Sequence, residues 1–333
     1  MKHRIDPNFP ASNEDASRLD SLSQVPVRPV FIMGLHRSGT TFLYDCVAKS
    51  FPLAHLSLYH LLYFDRLLTN KDQATEQQDK DKLNQFFAER GISDRNIDGT
   101  TIDADAVEEY GFLLRKKTAT FKLCDQNAAF FATICQKLLV VQSDKQAVLL
   151  KNPWDTGNAK KILSYYPEAR FIYISREPIA VLNSMLNALL AYLEGPQDYL
   201  EVLLDKGKGR SGYRSGYIAW LILRGLRKVL GRNNSARLAR KMLAKDVARQ
   251  VAIYRKELAV MPASRAIEID YQDLVADPEA TMQSLKALLD LPITDMQESL
   301  EVKQRNNINP VLKDFQESLD RLVEKAMEYP LGE

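Results

Sequence analysis

The sequence predicts an α/β protein, a parallel sheet flanked by helices, with a helical lid or insertion late in the chain. Two observations carry this. Short apolar runs at 28–33, 146–150, 169–175 and 264–269 read as buried strands. Helical patterns fill the intervals between them, and that alternation argues a sheet covered on both faces. Right-handed crossovers then gather the loops that follow the strands along one edge of the sheet.

Taken in order, residues 1–24 are mostly polar, carry Pro7 and Pro10, and read as a flexible arm ahead of a single domain over 25–333. Helical patterns follow the first strand at about 40–50, 56–69, 74–90, 105–116 and 127–141. Another, at 156–165, separates the second and third strands. Pro178 opens a helix at 179–193, because its missing N–H costs nothing in a first turn. Gly207, Gly209, Gly212 and Gly216 make 205–216 a hinge, and helices at 217–230 and 235–260 complete a basic helical insertion over about 205–260. Phe315, Leu319, Leu322, Val323 and Met327 form a helical stripe in the tail.

The formal charge of the 333 residues is only +2, yet thirteen Lys and Arg fall between Lys206 and Arg249 against one acid, Asp246. The stretch 217–223 is apolar and then turns basic. It reads as a peripheral membrane contact over 217–249, as a lid over the acceptor, or as a core helix with a solvated cationic face. No nucleic-acid recognition motif accompanies the charge, so no nucleic acid is expected. Cys46, Cys124 and Cys135 have no metal or disulfide spacing. No run approaches about 18 apolar residues, and the N-terminus lacks an apolar leader core. A cytoplasmic protein is expected, with any membrane contact peripheral.

The chemistry concentrates in residues 30–41, Val-Phe-Ile-Met-Gly-Leu-His-Arg-Ser-Gly-Thr-Thr. A strand, a loop bounded by Gly34 and Gly39, and a helix start build an anion site from backbone N–H groups and the helix dipole. The spacing is close to a Walker A loop, but Thr40 stands where the phosphate-binding lysine belongs, and Arg37 supplies a cation inside the loop. A second strand ends in Arg176, and Ser184 lies about two helical turns further on. Arginine plus hydroxyl suits a second phosphate. Lys151, at another strand end, either reaches the transferring group or is solvated.

These patches resemble the sulfotransferases that use 3′-phosphoadenosine 5′-phosphosulfate (PAPS), in their bacterial-type branch with a P-loop-like fold. Arg37-Ser38-Gly39-Thr40-Thr41 is similar to their 5′-phosphosulfate loop. Arg176-Glu177-Pro178 with Ser184 is similar to their 3′-phosphate motif. Ile269–Pro278, which contains Tyr271, resembles the segment beside the adenine, and Asp105–Tyr110 an acidic motif of that branch. The resemblance implies in-line transfer of a sulfuryl group from PAPS to a hydroxyl or amine of a small-molecule, glycan or lipid acceptor. The product is adenosine 3′,5′-bisphosphate, and no metal is required. Arg37, Ser38, Gly39, Thr40, Thr41, Arg176, Ser184 and Tyr271 would bind the donor.

For the base, the resembling branch places an acid or histidine shortly after the first helix, which points to His60, with His55 and Asp155 as alternatives. Glu108 and Glu109 shape the acceptor pocket or simply favour a helix dipole. The late Arg-Lys-Gly loop of cytosolic members is missing, and Lys303 or Arg305 stands in for it. Two other readings remain: a P-loop-type kinase, disfavoured by Thr40, and a non-catalytic anion- or membrane-binding module.

Overall fold

The computed structural model describes residues 13–95, 101–195, 197–205, 212–294 and 307–329. Residues 206–211 of the expected 205–216 hinge, Lys303, Arg305 and the first twelve residues of the expected arm lie outside them; Gly216, expected in the hinge, is instead helical. Five parallel strands form one sheet, β1 (Pro29–Met33), β2 (Leu53–His55), β3 (Ala147–Lys151), β4 (Arg170–Ser175) and β5 (Ala266–Asp270), in the order β2-β3-β1-β4-β5. Four of these are the expected apolar runs. The fifth, β2, is only three residues at the sheet edge, too short to show a pattern of its own.

Central β1 is buried along its whole length, as a strand covered on both faces must be. Its side chains alternate. Phe31 and Met33 join Val148, Leu150, Phe171 and Tyr173 in the larger core, while Val30 and Ile32 join Leu149, Ile172 and Ile174 in the smaller one. Phe31 stacks on Phe171 and Phe131 with ring centroids 5.6 and 6.0 Å apart. The smaller core is closed by α1 (Thr40–Ser50) together with α11 (Tyr271–Ala276) and α12 (Pro278–Leu289). The larger is closed by α2 (Leu58–Leu62), α3 (Leu67–Gln73), α4 (Glu76–Glu89), α5 (Gly111–Lys117), α6 (Ala128–Val141), α7 (Ala159–Tyr165), α8 (Pro178–Tyr192) and α9 (Asp198–Leu204). The second part of α10 (Arg214–Ala259) and α13 (Gln316–Glu328) complete it.

From β1 the chain moves toward the β2 edge, and from β4 toward the β5 edge. A crevice therefore opens beyond the carboxyl ends of these two neighbours, at the point where the winding changes direction.

Three expectations need correction. Residues 105–110 are not helical. The backbone of 104–108 pairs instead with the start of α2 and the residues just before it, through Leu58 N to Ala106 O (2.8 Å), Tyr59 N to Ala104 O (2.8 Å) and Glu108 N to Leu56 O (3.0 Å). Helices 217–230 and 235–260 run together as α10, broken at Gly231, whose φ of 75° and ψ of 168° are not helical. Part of the expected arm is fixed in place. Ala16–Gln24 forms a 3-10 helix, and the Asp15 carboxylate is fully buried, 2.7 Å from the Lys137 ammonium and bonded by the amides of Leu68 and Thr69.

Burial alone would raise the Asp15 pKa, but Lys137 and those amides outweigh it and hold the carboxyl below its ordinary value. Its contribution is thus present above the unfolded carboxylate range and is lost as pH falls through the folded value. Asp15→Ala leaves Lys137 buried without its partner. It should cost about 3–5 kcal/mol at neutral pH, read as a lower urea midpoint.

Candidate active site

The loop between β1 and α1 is shaped by its backbone. Arg37 sits at φ 71° and Gly39 at φ 105°. Gly39 has no substitute, because a Cβ there would lie 2.4 Å from Cδ2 of Tyr271, whose ring packs against the loop. The turn is braced from within and from outside. The Ser38 hydroxyl donates to Leu35 O (2.8 Å), so it serves the loop itself. Thr156, after β3, accepts from Gly34 N (3.0 Å) and donates to Gly34 O (2.9 Å). Gly39 caps α1 with no side-chain hydrogen bond, leaving the amides of the first turn to an anion.

The two arginine-tipped strand ends meet. Arg37 Nε donates to Ser184 Oγ on α8 (3.1 Å), and Arg176 Nη1 donates to the Arg37 carbonyl (3.2 Å). The Arg176 guanidinium lies 4.1 Å over the Tyr271 ring, and its Nε is buried with no hydrogen-bond partner among the described residues. Such an orphaned donor suits an anionic ligand. The chemistry of these groups suits a nucleotide with two phosphates: the helix N-terminus would hold one, and Arg176 with Ser184 the other.

Beside the loop opens a cleft of about 420 Å³, lined by His36, Arg37, Thr40 and Thr41 on one side. Glu108 and Glu109 from the extended 105–110 segment, Trp154, and apolar residues of α8 and α9 line the rest. Lys151, at the end of β3, is fully buried and therefore not solvated. Its ammonium is 3.0 Å from Thr41 Oγ1 and 3.1 Å from Glu109 Oε1. Burial by itself would raise the Glu109 pKa, but Lys151, and then His36, override it and keep the carboxyl below its usual range. Burial pushes the His36 imidazole down. Glu108 is bound by Arg95 at 2.7 Å and by the Tyr199 hydroxyl.

The structure does not bring His60 to this cleft. His60 lies in a capping box, where its Nδ1 accepts from Ser57 N (3.2 Å) while the Ser57 hydroxyl caps α2. Burial, its largest influence, holds its pKa well below that of a free imidazole. His55 is likewise inside, next to Gln142. Asp155 is wholly buried as a hub. It accepts from the Tyr110 hydroxyl (2.6 Å), Leu123 N (3.0 Å), Asn152 Nδ2 (2.7 Å) and Asn158 Nδ2 (2.7 Å). Asp155 thus fixes the turn after β3. Two carboxylates line the cleft, Glu108 and Glu109, and Glu108 is tied to Arg95 and Tyr199; in the sequence they are legible only as an acidic pair.

A phosphate-cradling loop at the switch point of a parallel sheet defines an α/β protein of the P-loop-like class. The chain belongs to the sulfotransferase family, whose family model matches residues 29–205 and 223–295. The fold is shared with sulfotransferase STF1 of Mycobacterium tuberculosis H37Rv at 16% identity and a TM-score of 0.54, covering 95% of this chain and 80% of that one. Sulfotransferase STF9 of Mycobacterium avium is similar at 15% identity and a TM-score of 0.52, covering 96% and 72%. No curated protein sequence matches the chain.

The close Gly39–Tyr271 approach yields a direct test. Gly39→Ala should lower the melting temperature and weaken anion binding together, since the added methyl must displace Tyr271 and strain the helix cap. A melting curve equal to that of the wild type would contradict the packing described.

Proposed function

We propose that the protein is a PAPS-dependent sulfotransferase whose acceptor enters the cleft beside Lys151. The observation that carries this reading is the junction of Arg37, Ser184 and Arg176 at one crevice, beside a helix N-terminus. When bound, the donor supplies a sulfuryl group on a leaving phosphate that already bears charge. The loop amides, Arg37 and Thr40 hold its 5′ end, and Arg176 with Ser184 holds the 3′-phosphate. Tyr271, packed under Arg176, would border the base.

Transfer to a hydroxyl needs that hydroxyl to lose its proton. Glu109 is the cleft carboxylate placed for it, and Lys151 keeps it ionised. In this reading Lys151 and Arg37 would face the negative charge that develops on the sulfuryl oxygens, and fixed cations act there without reorganisation. A kinase reading is disfavoured because the loop carries Thr40 in place of lysine. The cleft's apolar walls favour a partly apolar acceptor.

Adenosine 3′,5′-bisphosphate should raise the melting temperature without magnesium, and ATP with magnesium should not. Arg37→Ala and Arg176→Ala should each weaken that binding about tenfold to a hundredfold; unchanged affinity in both rejects the site. Glu109→Gln should keep the binding and lose about 10²–10⁴ in turnover. Because Glu109 is depressed, wild-type turnover should stay level across neutral pH and fall only below the ordinary glutamate range, about 4.3.

A further inference from the structure

The first part of α10, residues 214–230, has its polarity reversed. Its inward side carries Tyr217, Trp220, Arg224 and Arg227, which meet the end of α8 and the residues just after it. Trp220 Nε1 donates to Tyr192 O (2.7 Å), and Arg224 lies 5.0 Å over the Trp220 ring. Arg227 and Arg232 both pair with the Glu194 carboxylate, Arg227 at 2.6 Å. The outward side is aliphatic. Ile222 is 59% exposed, Leu226 52% and Val229 86%, with Ile218 and Leu221 beside them. Beyond Gly231, Leu238 and Met242 continue this exposure at 65% and 64%. A helix facing water shows the opposite arrangement, and contiguous exposed apolar surface of this kind marks an interaction site.

The charges select the occupant. Arg214, Lys228, Arg232, Arg237 and Lys241 are exposed on the same stretch, and the sequence holds no acid from Lys206 to Lys245. A partner must therefore be apolar beneath and anionic on top. A second copy docking through this face would set cations against cations. An anionic bilayer offers acyl chains to the aliphatic side chains and headgroups to the lysines and arginines. No described helix is long and apolar enough to cross a membrane, so the helix would lie in the interface. The face borders the acceptor cleft, which Tyr192 and Leu243 line.

We propose that residues 214–242 dock the protein on an anionic lipid bilayer. The proposal stands apart from the donor chemistry. Its test is flotation of the full chain with vesicles of phosphatidylcholine, alone or with about one-third phosphatidylglycerol, at near-physiological salt. The protein should float with the anionic vesicles and stay behind with the neutral ones. Ile222→Glu/Leu226→Glu/Val229→Glu and, separately, Lys228→Glu/Arg237→Glu/Lys241→Glu should each reduce binding by about tenfold or more. All six positions are exposed, and melting followed by circular dichroism should be unchanged. Failure of the wild type to float with anionic vesicles overturns the proposal, as does flotation of both variants at the wild-type level. So does a dimer, seen by sedimentation without lipid, that the aliphatic substitutions dissolve while vesicle binding stays absent.

Discussion

The whole crevice depends on how the backbone at Arg37 is held. A non-glycine residue at φ 71° is disfavoured by sterics and persists only where neighbours fix it. Here they come from four elements. Arg176, past β4, grips the Arg37 carbonyl, and Ser184 on α8 accepts from its side chain. Thr156 ties down Gly34 on one flank, and Tyr271 presses on Gly39 from the other. Because β1 and β4 are adjacent and parallel, these contacts follow from sheet order rather than from long flexible reaches.

The same logic explains where the electrostatics sit. Lys151 is the last residue of β3, on the other side of β1, so its ammonium arrives beside Thr41 through strand register alone. The 105–110 segment brings Glu109 to the same point because its backbone is pinned to the residues that lead into α2. Around them, Asp155 satisfies donors from four residues and keeps the turn after β3 rigid. A buried carboxylate with that many partners is a structural fixture, and its burial raises its pKa.

What the sequence made legible follows the range of the interactions. The strand runs and the Arg37 loop are local patterns, and Arg176 and Ser184 stand about two helical turns apart, so these could be read directly; the hydrogen bonds that join each of them to Arg37 could not. Strand β2 could not, since three residues gain their role only from β3. The distance of His60 along the chain from Arg37 points to the site, yet Ser57-Leu58-Tyr59-His60 is also a capping box, with histidine in the place of glutamate. The ion pair of Glu109 with Lys151 is not legible, because it joins segments far apart in sequence. The run 217–230 showed apolar and basic residues but not which side faces inward. That depends on Tyr192 and Glu194, at the end of a different helix.

The ion pair between Lys151 and Glu109 has one more consequence for the proposed chemistry. At rest each of the two charges offsets the other. Once the carboxylate accepts a proton, the ammonium is left uncompensated in a poorly solvated place. Its full positive potential then becomes available at the moment electron density builds on the transferring oxygens. In the proposed reaction, deprotonation of the acceptor and stabilisation of the group being passed would thereby be coupled through this one ion pair.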